Sequence, residues 1–492
     1  MNRRMVVFLL SRIMAFEAIL MLPSFIVGLI YGEAAIAALC FLPVMGVLLL
    51  LGLFGLKKPK NMTIYAREGF LTVAAAWVLM SVFGAVPFFL LGNVFPTAAG
   101  GEFVSYWDCL FEIASGLTTT GASILETVEQ LPHCILFWRS FSHWIGGMGV
   151  LVFVLAVMPM SEERSMHLMR AEVPGPVVGK LVPRMRDTAK ILYAVYSALT
   201  VILIILLCAG GMPLFESVCH AFGAAGTGGF SVRDAGIKAY DSTYIHVVLS
   251  TFMLLFGVNF SLYHLILIGK WKNAVRSEEL RVYGGIVTAA VVLITINTAS
   301  AATRFGITLR DAYFQVSSII TTTGYATVNF DAWPGFSKMI LLLLMVMGAC
   351  AGSTGGGLKI SRIVILFKTV RQEVRKLLHP RAVTVVRIEG KPIHTDLIRA
   401  TMVFFVLYMT CLAAGVLLLS LGEQDFLTNF TATLACLSNI GPGLALVGPT
   451  ENYGFYSSAS KVLLSFEMLA GRLELFPIIM LFSPLTYRHR SK

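Results

Sequence analysis

The chain has 492 residues, of which 57% are hydrophobic and 13% charged. Soluble proteins carry roughly 25% charged residues, so this composition, with a mean hydropathy of +0.80, excludes a string of soluble domains. Long solid apolar runs, rather than ten-residue alternating segments, also exclude a porin-like barrel and point to an all-α integral membrane protein.

The net charge of +11 comes from 38 Lys+Arg against 27 Asp+Glu. The basic residues cluster in loops between apolar runs, so the charge reads as the positive-inside pattern rather than as affinity for nucleic acid. The eight cysteines show no zinc or disulfide spacing and read as small hydrophobic residues.

In chain order, residues 1–32 read as a retained first helix rather than a signal peptide, with Arg12 near enough to the surface to snorkel. Spanning helices are expected at 5–32, 34–56, 69–92, 135–160, 187–210, 243–268, 282–302, 336–368, 396–420 and 460–484. Ten crossings put both termini on one side. The basic loops after the second, fourth, sixth and eighth crossings fall on that side, which is then the cytoplasm. They include Lys57, Lys58 and Lys60, Arg164 to Lys190, Lys270 to Arg281, and Lys368 to Lys391.

Four long connections face the other way, at about 93–134, 211–242, 303–335 and 421–459. Each holds an apolar stretch too short to span, which suits a re-entrant half-helix. A Gly/Thr/Ser-rich stretch follows. The first three read Thr118-Thr119-Thr120-Gly121, Gly226-Thr227-Gly228-Gly229 and Thr321-Thr322-Thr323-Gly324. Asp108, Glu216 and Asp311 each precede the last of these glycines by thirteen positions. The fourth, Ser438-Asn439-Ile440-Gly441, has Asp425 sixteen positions ahead and is degenerate. The organisation is thus four parallel helix–loop–helix repeats around a central pore, plus two extra N-terminal helices. The expected divisions are 1–60 for the extension and 61–165, 166–275, 276–385 and 386–492 for the repeats.

Irregular backbone at membrane depth is tolerated where it lines a watery path. Half-helices pointing their C-terminal, partly negative ends at the membrane centre favour a cation. Glycine lets consecutive carbonyls turn toward an axis, and rings of carbonyls replace hydration water in potassium filters. Close helix packing through Gly, Ser and Thr is the competing explanation of any single loop.

The four loops, His143-Trp144-Ile145-Gly146-Gly147-Met148-Gly149, a glycine run at 348–357 and Gly471-Arg472-Leu473-Glu474-Leu475-Phe476 together resemble the Trk/Ktr/HKT superfamily of potassium-uptake membrane subunits, closest to its TrkH type. The resemblance covers the whole chain. It implies a potassium filter at Thr119, Thr120, Gly121, Thr227, Gly228, Gly229, Thr322, Thr323, Gly324, Asn439, Ile440 and Gly441. It implies an intramembrane gate over Gly348, Gly352, Ser353, Thr354, Gly355, Gly356 and Gly357, with Arg472 lining the pore; Lys359, which follows the run directly, is placed to anchor or sense it. It also implies a homodimer in the inner membrane and a cytoplasmic, TrkA-like nucleotide-binding regulatory subunit. Potassium is then the transported ion. NAD or ATP/ADP would act only through that partner, and the chain itself would bind no cofactor or transition metal.

Several readings of single features stay open. The glycine run lacks the lysine of a phosphate-binding loop, since Leu358 follows Gly357; a kink or packing face competes with a gate. Arg472 could instead form a buried ion pair with Glu474 or Glu467. The basic segments 161–190, 269–281 and 361–394 fit either topology alone or docking of a regulator. A symporter coupled to protons or sodium is the second functional reading. An intramembrane hydrolase using Ser353 or Ser123 with His143 lacks a Gly-x-Ser-x-Gly elbow, and no enzyme is expected.

Overall fold

The computed structural model describes residues 2–55, 59, 65–149, 185–299, 305–381 and 384–483. Lys57, Lys58, Lys60, the basic run from Arg164 to Arg184 and the lower part of the expected helix 135–160 lie outside the described residues. Among the described residues, six helices are long and apolar enough to cross a membrane. They are Arg3–Ile30, Ala34–Leu53, Arg67–Val94, Asp187–Ala209, Glu278–Thr298 and Thr395–Leu419. Their outward faces expose large aliphatic side chains such as Leu50, Ile205, Ile296 and Leu417. Such a surface is stable only against lipid.

Small residues let the first helices pack closely. Gly28 leaves room for Ala37 and Cys134, and Gly52 for Ala15. The turn between the first two helices supplies Glu33, whose carboxylate accepts from the backbone N–H groups of His133 (2.8 Å) and Cys134 (3.0 Å). It thereby caps the helix His133–Gly147, whose own N-cap is Pro132 and provides no side-chain acceptor. Trp138 of that helix is fully buried and donates through Nε1 to the carbonyl of Gly84 at 3.0 Å.

Four short helices recur between the spanning ones: Tyr106–Leu117, Leu214–Gly226, Phe305–Ile320 and Phe426–Leu437. At 1.5 Å per residue they are about 18–24 Å long, short of the roughly 30 Å hydrocarbon layer. Asp108 and Glu216 lie in the first turns of theirs, where a carboxylate meets the positive end of the helix dipole. Asp311 does not, because its helix starts earlier, at Phe305. Asp425, out of register in sequence, is the N-cap of the fourth helix and accepts from the N–H groups of Leu427 and Thr428. The Thr428 hydroxyl, followed by those N–H groups, holds the Asp425 carboxyl below its ordinary range.

Asp425 therefore stabilises the fold above the ordinary carboxylate pKa, and the contribution is lost as pH falls through the lower, folded value. Asp425→Ala is expected to cost about 1 kcal/mol and Asp425→Asn much less. Thermal unfolding in detergent at neutral and acid pH checks both points; the gap between the wild type and Asp425→Ala should narrow as the pH is lowered.

The helices that follow the four loops, His133–Gly147, Thr243–Phe256, Gly335–Met347 and Ser458–Arg472, are short as well. Three of them were expected to run further. The expected helix 243–268 bends by 92° between Phe256 and Phe260, where Asn259 caps the new segment by accepting from Ser261 N at 2.9 Å. The one at 336–368 breaks after Met347 and resumes as Ile360–Leu378. The last breaks where Glu474 and Leu475 both take positive φ, then resumes as Phe476–Phe482. One exception to an all-helical chain is a hairpin pairing Arg387–Ile388 with Lys391–Pro392. Its two turn residues, Glu389 and Gly390, both have positive φ, the requirement of a tight two-residue turn.

Candidate functional site: four loops in a ring above a glycine-rich segment

Each short helix ends in a loop of the same backbone design. Thr119, Thr227, Thr322 and Asn439 have φ of 56–59°, and two residues later Gly121, Gly229, Gly324 and Gly441 have φ of 75–95°. Left-handed backbone is a genuine outlier for a β-branched residue and costs of order 1–3 kcal/mol. Strain repeated at one position of four loops marks a conformation the surroundings enforce.

The glycines explain what enforces it. A Cβ on Gly121 would stand 1.8 Å from the Gly228 carbonyl oxygen, and one on Gly229 2.0 Å from that of Thr323. A Cβ on Gly324 would stand 2.1 Å from the Ile440 oxygen, and one on Gly441 2.7 Å from that of Thr120. Each loop thus abuts the carbonyl just before the next loop's glycine, and the fourth returns to the first. The contacts close a ring whose members are the residues singled out in the sequence. On the face where the loops return, a cavity of about 390 Å³ is lined by all four glycines together with Arg139 and Tyr453.

Side chains brace the ring from behind. Thr118 and Thr120 share a hydroxyl–hydroxyl bond of 2.8 Å, and Thr321 and Thr323 repeat it at 2.8 Å. Asn439 Nδ2 donates to Thr120 Oγ1 (3.0 Å) and to the Met468 carbonyl (2.9 Å), so the degenerate fourth loop is tied to the first. Tyr325 donates to the carbonyls of His220 and Phe230 at 3.1 Å each. The Tyr453 hydroxyl donates to the Gly441 carbonyl at 2.6 Å. The glycines of the His143–Gly149 motif allow the same closeness: Gly146 lies on the Leu117 carbonyl and Gly147 on Gly226. His143 bonds the Gly116 carbonyl at 2.8 Å and accepts from Phe230 N at 3.3 Å, a helix-to-loop role.

Below the ring, residues 348–359 form an irregular segment instead of helix. Gly348, Gly352, Gly357 and Lys359 have positive φ. The segment is pressed against the third and fourth loops, since a Cβ on Gly355 would be 2.9 Å from the Thr321 oxygen and one on Gly356 2.2 Å from that of Ser438. Gly356 N donates to Thr322 Oγ1 at 2.7 Å, joining the segment directly to a left-handed ring residue. Lys359 Nζ donates to the Gly355 carbonyl and Ser353 Oγ to that of Cys350. Outside the segment, Glu279 accepts from Ala351 N (2.7 Å) and Ser361 N (3.1 Å).

Arg472 reaches across this level. It donates to the carbonyl of Thr354 at 2.8 Å and to those of Gly146 and Gly147, the latter at 2.6 Å. The glycine-rich segment is thereby fastened to helix ends from both halves of the chain. Glu474, one of the expected partners of Arg472, forms an ion pair with Arg362. Glu467 is buried against Gly415 and Thr433.

Sequence reasoning missed Arg139, Glu112, Glu279 and Tyr453. One signal was present: Glu112, His220 and Gln315 each stand nine residues before their loop's glycine. All three are fully buried and each bonds a hydroxyl of the returning limb, Ser123, Ser231 and Thr327 respectively.

The chain as a whole is similar to known proteins. The family model TrkH, described as cation transport protein, matches residues 45–282 and 281–488. This chain belongs to the TrkH family. It is 36% identical over 486 residues to the Trk system potassium uptake protein TrkH of Salmonella typhimurium, covering 97% of each chain. It is 37% identical over 431 residues to that of Escherichia coli K12, 86% of each. The crystal structure of the potassium transporter TrkH from Vibrio parahaemolyticus superposes with a TM-score of 0.87 at 30% identity, over 99% of this chain and 100% of that one. The TrkH-family chain is therefore a multi-pass membrane transport protein with a helical TrkH fold, and its family is one of transporters rather than enzymes.

Proposed function

We propose that this chain takes up potassium through a channel-like pore on the axis of the loop ring. The observation that carries the reading is the closed cycle of glycine-to-carbonyl contacts, 121 to 228, 229 to 323, 324 to 440 and 441 to 120. The four short helices are then pore helices, aiming their partly negative C-terminal ends at the ring. A potassium ion sheds water as carbonyls of residues 119–121, 227–229, 322–324 and 439–441 replace it. It then meets the segment 348–357, which with Lys359 and Arg472 acts as the gate. The four-repeat division at 61–165, 166–275, 276–385 and 386–492, behind the extension 1–60, follows from the same reading. Potassium as the ion is supported by the names of the relatives. Residence in the inner membrane with both termini cytoplasmic, a homodimer, and a cytoplasmic nucleotide-binding regulatory subunit of the Trk system complete the proposal.

Rubidium uptake into liposomes holding the purified chain, with competition by potassium, sodium and lithium, tests it. Potassium should block far better than sodium, and one charge should enter per ion. Sodium competing as well as potassium, or a further charge moving with each ion, would contradict the filter or the uncoupled pore respectively. A single glycine per loop offers fewer ordered sites than a Thr-Val-Gly-Tyr-Gly filter, so rubidium should pass and some sodium should be admitted.

A further inference from the structure

We propose that Arg139, locked to Glu112, is a specificity-determining strut that fixes the spacing of the first and second filter loops and with it the preference for potassium over sodium. The proposal rests on the filter reading of the loops.

Arg139 lies on the helix that follows the first loop, and Glu112 on the first pore helix. Both are buried, with side-chain exposures of 4% and 0%. Arg139 Nε donates to Glu112 Oε1 at 2.6 Å, Nη2 to Ser123 Oγ at 3.1 Å, and Nη1 to the Ser231 carbonyl at 2.9 Å. The guanidinium also sits 3.5 Å from the centre of the Phe230 ring. Glu112 in turn accepts from Ser123 Oγ and Ile124 N, each at 3.0 Å.

The contacts fall at equivalent places. Ser123 is two residues past Gly121, and Ser231 is two past Gly229. One planar fork therefore holds the returning limbs of two neighbouring loops at once. The junction of loops two and three is held by the Tyr325 hydroxyl. That of loops four and one is held by Tyr453, whose hydroxyl donates to the Gly441 carbonyl and whose N–H donates to the Ser123 carbonyl at 2.8 Å. Tyr453 N and Arg139 Nη2 thus meet the same residue, Ser123, from different sides. Further out, Arg233 pairs with Glu129 at 3.5 Å and Asp234 accepts from Val128 N, but these groups are exposed; the strut is the buried charged link between the two loops among the described residues.

Stability alone does not explain a buried ion pair here. Apolar residues of similar volume are commonly as stabilising or more so. What arginine adds is direction, because its donors are fixed in one plane and cannot follow a carbonyl that moves. A carbonyl ring discriminates ions only while its oxygens keep their number and spacing. A lysine at 139 would keep the charge next to Glu112 but would lose the fork that reaches Ser231.

The test compares rubidium uptake by wild type, Arg139→Lys and the neutral pair Glu112→Gln/Arg139→Gln in liposomes, measuring inhibition by potassium and by sodium. Ser123→Ala, which deletes one hydroxyl, gives a further variant where a charged-site variant does not reconstitute. The ratio of the sodium to the potassium inhibition constant should fall at least fivefold in Arg139→Lys and in the neutral pair, and about twofold in Ser123→Ala. A slower rate with an unchanged ratio would mean the pair merely supports the fold, and would overturn the proposal. Gly324→Ser is measured alongside. A changed ratio there with none at position 139 sinks the strut but leaves the filter, whereas no change in either sinks the filter reading itself.

Discussion

Gly121→Ala is expected to abolish potassium selectivity, and Gly229→Ala and Gly324→Ala to do the same, while Gly441→Ala does less harm. The order follows from distance. A methyl on the first three would lie 1.8, 2.0 and 2.1 Å from a carbonyl oxygen of the neighbouring loop, against 2.7 Å for the fourth. Carbon and oxygen in contact need a little over 3 Å, so the first three methyls must push a ring carbonyl aside by more than about 1 Å, an error that can cost on the order of 10²-fold where atoms must be placed to react or bind. The obstructing group is backbone, which cannot swing away as a flexible side chain would. Rubidium uptake should fall about 10²-fold in Gly121→Ala, with the residual flux blocked nearly as well by sodium as by potassium. For Gly441→Ala a loss of about tenfold is expected, since the neighbour has less far to move. Equal activity of all four variants and the wild type would remove the ring as the site of selection.

Much of this arrangement is legible in the sequence, and the reasons differ by element. The spanning helices announce themselves through apolar runs, because lipid demands a continuous stretch of known length. Three of the four loops stand out because only glycine fits where an added Cβ would stand 1.8–2.1 Å from a neighbouring carbonyl oxygen. The fourth is harder to read. Asp425 acts as an N-cap rather than a first-turn acid, and Asn439 replaces threonine while reaching across to Thr120.

The breaks are a different matter. The glycine run at 348–357 reads as a helix break, but the 92° bend after Phe256 does not. Gly257 and Asn259 are only two residues, and their effect depends on the glycine-rich segment against which they fold. Cys350 N donates to the Gly257 carbonyl at 3.0 Å and Phe260 N to that of Gly352 at 3.1 Å. Those bonds join segments almost a hundred residues apart, and no local pattern encodes them. The pairing of Arg139 with Glu112 is hidden for the same reason, although charges inside apolar segments are functional candidates by default.

Arg472→Ala is expected to raise basal rubidium uptake by the chain reconstituted alone. Two effects act in the same direction. The guanidinium donates to the carbonyls of Thr354, Gly146 and Gly147, so its loss unfastens the glycine-rich segment from the end of the helix His133–Gly147. It also removes a positive charge from the level that the proposed ion path crosses. At an effective dielectric of about 20 and a separation of about 6 Å, repulsion between two unit charges is about 3 kcal/mol, or on the order of 10²-fold in rate. Arg472→Lys separates the two effects. It retains the charge but reaches fewer of the three carbonyls, so its uptake should rise by less than about tenfold. Should the alanine variant conduct no better than the wild type while retaining its thermal midpoint, neither the charge nor the fastening would limit flux, and the gate would have to lie elsewhere on the ion's path.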